Sequence, residues 1–168
     1  MRETTIETAV NERTGESYKI VHHKSGLDLL LAPMEGFVQT AAMFGTNYGS
    51  VNNCFKTSED ADFLTVPDGI AHYLEHKMFD TREGNALQEL AKNGAEPNAF
   101  TSNAMTAYYF DSTEHFEENL RILLSFVSIP YFTDESVAKE QGIIGQEIRM
   151  IEDLSLIHIS EPTRPEPI

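Results

Sequence analysis

Apolar and polar positions along the first third of the chain follow a strand-like pattern. Tyr18 to Val21 and Leu27 to Leu31 are apolar-rich runs on either side of Lys24-Ser25-Gly26, which predicts two strands joined by a hairpin turn. Pro33 to Gly36 turns the chain again, and Phe37 to Phe44 predicts a third strand. Gly45 to Pro67 is polar, carries Gly49, Asn52, Asn53 and the acidic residues Glu59, Asp60 and Asp62, and reads mostly as loop. A helix is expected from about Gly69 to Phe79 with Asp68 as its cap, and a second from about Asn85 to Lys92, stopped by Asn93-Gly94. Asn98 to Ser102 and Thr106 to Phe110 include aromatic and β-favouring residues and predict two more strands, after which Asp111 and Ser112 offer caps. Phe116, Leu120, Leu123, Leu124 and Val127 recur at helical spacing and predict an amphipathic helix that stops before Pro130. A last helix begins near Asp134, with Val137, Ile144, Ile148 and Ile151 as its expected buried stripe. Strands first and helices among strands afterwards give an α+β class, a largely antiparallel sheet with helices packed on one face.

Composition narrows the function classes. A chain of 168 residues with 40% hydrophobic content can bury one sizeable core. A formal charge of -15 argues against nucleic acid and against an anionic membrane surface, because phosphate demands clustered Lys and Arg. The first residues lack the apolar core of a signal peptide and no stretch has the length of a membrane span, so a cytoplasmic location and no membrane partner are expected. With Cys54 alone there is no internal disulfide; Cys54 reads as a packed or loop thiol, and a metal site would rest on His and carboxylate. Lys77 and Lys92 read as solvated charges. The segment LSLIHISEPTR from Leu154 resembles one reading frame of the transposase adapter of short-read sequencing libraries. Residues 154–168 are therefore expected to be adapter read-through, His158 is set aside as a ligand, and protein sequence proper is expected to span 1–153.

The chemistry concentrates at His72, Glu75 and His76. Residues four apart on a helix lie on one face, so two imidazoles at this spacing can point at one ion, with Glu75 close by. A catalytic zinc takes about three protein ligands and keeps a position open, so a third donor must come from elsewhere in the fold. Glu147 is the choice, on a helix that also presents Glu140 two turns earlier; spacing alone does not select it over other acids. In such a site Glu75 would be the general base towards a zinc-activated water, and Glu140 could hydrogen-bond a ligand imidazole and fix its tautomer. Two His and a Glu on one helix are also a common polar surface, and a solvated helix face in an unrelated binding module is the plain alternative.

Three blocks in order, PDGIAHYLEHKMF, GAEPNAFTSNAMTAYYF and EQGIIGQEIRMIED, resemble the pitrilysin and mitochondrial-processing-peptidase family of insulinase-like zinc metallopeptidases, most of all its bacterial YmfH-type branch. The His-x-x-Glu-His order is the inverzincin signature. The resemblance covers about Gly26 to Asp153. It implies His72, His76 and Glu147 as ligands of one zinc ion per chain, Glu75 as general base and Glu140 as a supporting group. It implies that Asn98, Ala99, Phe100 and Thr101 form an edge strand that pairs with a peptide substrate. Phe100, Tyr108 and Tyr109 are otherwise sheet core, the preferred reading for the two tyrosines. The activity implied is endopeptidase cleavage of peptides or small unfolded proteins, in some members beside a homologous inactive subunit. Family members close a chamber with later domains that hold the substrate through Tyr and Arg. The stretch 1–153 thus corresponds to an incomplete first domain, expected to be inactive by itself. A non-catalytic partner or structural subunit on the same fold is the alternative, and it would be expected to lose ligand residues.

Overall fold

A computed structural model describes residues 3–160, and their contacts divide the chain into Met1–Val38 and Gln39–Ile168. The first unit is a three-stranded antiparallel sheet in the order β1 (Thr5–Val10), β2 (Ser17–His22), β3 (Asp28–Leu31). The β2–β3 pair is the expected hairpin, with Gly26 at φ 95° in its turn. β1 lies outside the expected strands: Ile6, Ala9 and Val10 do not alternate regularly with polar residues, and Ile6 is 65% exposed.

The second unit opens with β4 (Thr40–Thr46), which starts later than the apolar run from Phe37 suggests; Phe37 and Val38 are exposed. The polar stretch that follows holds two short paired strands, β5 (Cys54–Phe55) and β6 (Leu64–Thr65). Cys54 is exposed there. Helix α1 (Ile70–Lys77) is not capped by Asp68. Gly69 takes the cap position at φ 83°, which glycine enters freely, and Asp68 accepts a hydrogen bond from Asn53 Nδ2 at 3.0 Å instead. A tight hairpin, β7 (Asp80–Thr81) with β8 (Gly84–Asn85), leads into α2 (Ala86–Lys92), where Asn85 Oδ1 accepts from Leu87 N at 3.0 Å. Then come β9 (Ala95–Thr101), β10 (Thr106–Ser112), α3 (Phe116–Ser128) and α4 (Asp134–Ser160). Asp111 and Ser112 complete β10 rather than capping α3; His115 occupies that cap at φ 55° without a side-chain bond. Residues 154–160 continue α4, and residues 161–168 lie outside the described residues.

The main sheet has the order β4-β10-β9, all antiparallel. Alternation along β10 sends Tyr108 and Phe110 to the helices, where they join Phe79, Leu90, Leu123 and Phe126. Tyr109 goes to the opposite face, edge-on to Phe100 at 6.4 Å, so only Tyr108 meets the core expectation. The rings of Phe79, Tyr108 and Phe126 lie pairwise 5.2 to 5.6 Å apart, a cluster in which each pair adds about 0.5–1.5 kcal/mol beyond its buried area. Leu123 is 1% exposed inside this core. Leu123→Ala is expected to cost about 2–5 kcal/mol in urea denaturation, and a cost below about 1 kcal/mol would contradict the packing described. Among the described residues no helix is long and apolar enough to cross a membrane.

Lys77 corrects the reading of a solvated charge. It is fully buried, with Nζ donating to Asp80 Oδ2 and to the Tyr131 carbonyl, each at 2.9 Å. Lys92 is exposed. The stripe expected on α4 holds only in part: Val137 and Ile144 are half-buried, whereas Ile148 and Ile151 are 52% and 60% exposed.

β9 is an edge strand. Ser102 N donates to Met105 O at 2.8 Å, so alternation turns the N–H and C=O of Asn98 and Phe100 towards β10 and those of Ala99 and Thr101 outwards. Pro97 falls at an outward position, where its missing N–H removes no ladder bond. Gly49 braces the β9–β10 turn from the other side: a Cβ there would lie 2.5 Å from Ser102 O.

Candidate metal centre and catalytic groups

His72 and His76 stand one turn apart on α1, rings 4.7 Å between centroids and nearly perpendicular, with their Nε2 atoms 3.1 Å apart. From α4, Glu147 Oε2 lies 3.8 Å from His72 Nε2 and 3.9 Å from His76 Nε2. These three residues form a group of donors able to hold one metal ion. A triangle with these sides has a circumradius of about 2.1 Å, the length of a Zn–N or Zn–O bond, so the donor set fits zinc by size as well as by type. His72 and Glu147 side chains are 44% and 36% exposed, which leaves one side of the triangle open to solvent.

Glu140 sits behind His76. Its Oε1 accepts from His76 Nδ1 at 3.0 Å, and since a carboxylate only accepts, the proton of neutral His76 belongs on Nδ1 and the Nε2 lone pair faces His72 and Glu147. Glu140 is only 12% exposed, unlike a solvated helix charge. Glu140→Ala is expected to weaken zinc binding by about 10–100-fold in a chelator competition, the usual effect of removing such a partner; unchanged affinity would return Glu140 to an incidental charge.

Glu75 turns away from the imidazoles towards the sheet. It is 8% exposed, and its Oε2 accepts from Thr101 Oγ1 at 2.6 Å. Thr106 Oγ1, 3.3 Å from Thr101 Oγ1, donates to Tyr48 O at 2.8 Å, so the proton of Thr101 is left for the carboxylate. Thr101 was singled out for its backbone; its hydroxyl partner lies on a different element and leaves no trace in local spacing. Tyr108 is held protonated by burial and then by the Glu75 carboxylate, and donates to Leu74 O at 3.4 Å. Tyr73 is shifted the same way by burial, then by Glu140 and Asp80, and its hydroxyl donates to Val137 O at 3.3 Å.

A cleft of about 370 Å³ connects Glu75 and His76 with Asn98 and Ala99 on β9, and Glu140 also lines it. Asn98 Oδ1 accepts from the outward Ala99 N at 2.8 Å, and Phe100 is 39% exposed. A larger groove of about 600 Å³ along α2 and α3 shares no residue with these groups; it is bordered by surface charges such as Arg121, already paired to Glu117 at 2.7 Å, and has no convergent chemistry.

The fold and this donor set define a metallopeptidase-like architecture, and comparison with known proteins assigns the family. Residues 66–164 match the family model described as Insulinase (Peptidase family M16). The chain belongs to this family. It is 49% identical over 136 residues to the uncharacterized zinc protease YmfH of Bacillus subtilis, covering 80% of this chain and 32% of YmfH. It superposes with a TM-score of 0.73 at 38% identity on an M16-like peptidase from Alicyclobacillus acidocaldarius, covering 91% of this chain and 33% of that one. Pitrilysin shares the fold, with a TM-score of 0.68 at 18% identity over 89% of this chain and 16% of its own. The chain therefore spans about a third of the length of YmfH.

Proposed function

We propose that these residues form the zinc-binding and catalytic core of a metalloendopeptidase acting on peptides or small unfolded proteins. The observation that carries this reading is the convergence of His72, His76 and Glu147 on one point, beside a carboxylate held by Thr101 and kept apart from the donors. A zinc ion there would supply Lewis acidity, polarising a scissile carbonyl and acidifying water. Glu75 would take the proton of the attacking water on its carboxylate and deliver it to the leaving amine. Thr101 would hold Oε2 in place during that exchange, and Glu140 would keep the His76 tautomer fixed. The outward backbone groups of Ala99 and Thr101 on β9 would pair with an extended peptide and lay it along the cleft beside Glu75. No turnover is expected of the 168 residues by themselves, because the donors remain partly exposed and the chain covers 32% of YmfH.

The description of YmfH as a zinc protease supports zinc as the metal, and the proposed stoichiometry is one per chain. A non-catalytic subunit on the same fold would have no use for the full set of ligands, base and supporting carboxylate found together here. Elemental analysis of purified protein tests the site. After dialysis, zinc is expected near one equivalent in the parent chain and well below it in His72→Ala and Glu147→Gln; equal metal in all three sinks the proposal.

A further inference from the structure

We propose that Lys77 is a positioning residue for the metal site: its buried ammonium pins the connection into α4 to the end of α1, and thereby sets where Glu147 meets the two imidazoles. The inference rests on the ligand set proposed above. That set is divided between two helices, and among the described residues beside Glu147 on α4, Ile148 and Met150 are 52% and 59% exposed. Alignment of the two helices then depends on contacts near the start of α4. These include Tyr73 OH to Val137 O at 3.3 Å, His76 to Glu140 at 3.0 Å, and the Lys77 cluster.

Lys77 is the most deeply enclosed of the three. Its Nζ bridges Asp80 Oδ2 and Tyr131 O at 2.9 Å each and lies 5.3 Å from the centroid of the Phe132 ring. A buried ammonium is a costly way to fill space, since an apolar side chain of similar size often stabilises a fold at least as well. Its use becomes clear from what it joins. Lys77 directly follows His76, and Tyr131 lies just before Thr133, whose carbonyl accepts from Val137 N at 2.9 Å in the first turn of α4. The path from imidazole to the root of α4 is therefore short and stiff. From Asp134 to Glu147 the helix runs about 20 Å, so a tilt of roughly 5° at its root moves the carboxylate by about 1.7 Å, enough to break a coordination bond.

A double-mutant cycle on zinc affinity, read by competition with a chromophoric chelator, tests the assignment. Lys77→Met is expected to lower affinity by about 10–100-fold in the parent chain and by less than about twofold when Glu147→Gln is already present, because its effect passes through Glu147. Equal losses in both backgrounds would make Lys77 a general support of the fold and overturn the proposal, as would no loss in either. If Glu147→Gln by itself leaves affinity unchanged, the ligand assignment fails and takes this inference with it, a result distinct from a failure of Lys77 alone. Should circular dichroism show that Lys77→Met is unfolded, Phe132→Ala, at a position 46% exposed, loosens the same anchor from the loop side. A loss of a few-fold that vanishes beside Glu147→Gln is then expected, and unchanged affinity overturns the proposal.

Discussion

Glu75→Gln is expected to leave zinc affinity within a few-fold of the parent while lowering peptide hydrolysis by about 10²–10⁴-fold, the share of rate that a positioned general base contributes. Glutamine keeps the size of the side chain, and its amide oxygen can still accept from Thr101, so the 8% exposed pocket is not reorganised. What it loses is the basic oxygen. Because Glu75 points towards β9 and is not among the converging donors, metal has no reason to leave with the charge. The metal-to-protein ratio can be read on this chain, and the rate in a polypeptide that contains these residues and cleaves a quenched fluorescent peptide. Loss of zinc in the variant would make Glu75 a ligand and reassign the base.

His76→Ala is expected to weaken zinc binding by about a hundredfold or more, since binding of roughly 10–16 kcal/mol at a zinc site is shared among only a few ligands. The loss should exceed that in His72→Ala. His76 is 25% exposed against 44% for His72, and among the described residues it is the one oriented from behind by a carboxylate. Its removal also strands Glu140, which is only 12% exposed and would lose its hydrogen-bond partner, so a fall in urea stability should accompany the loss of metal. If His72→Ala proves the more damaging, the Glu140 contact contributes nothing to the site.

The elements most visible in the sequence were those with a strong period or a distinctive turn. The β2–β3 hairpin, β9, β10 and all four helices follow from apolar spacing and from Asn, Gly and Pro between the runs. β1 escapes the sequence because Ile6, Ala9 and Val10 fall out of alternation on an exposed strand, and its identity rests on pairing with β2. The cap of α1 was misassigned to Asp68 because a side-chain cap is a local rule, whereas Gly69 takes the position through its backbone. That His72 and His76 share one face of α1 with Glu75 near it could be read from spacing, which left a solvated polar face open as well. That Glu147 meets them could not, because a donor on a distant helix is placed only by how two helices pack. Lys77 and the Thr101 hydroxyl stayed hidden for the same reason: the carbonyl of Tyr131 and the carboxylate of Glu75 are brought to them by the fold.

The outer edge of β9 has a built-in reading length. Pro97 has no N–H to give, and Asn98 already occupies that of Ala99, so beside the cleft the outward N–H of Thr101 is the one that carries no hydrogen bond among the described residues. A second opens only when the Asn98 side chain swings aside. Under the proposed function, a flexible peptide threaded past Glu75 would have to displace the Asn98 side chain to be held, and it would be gripped over a short span that it could leave again once cut.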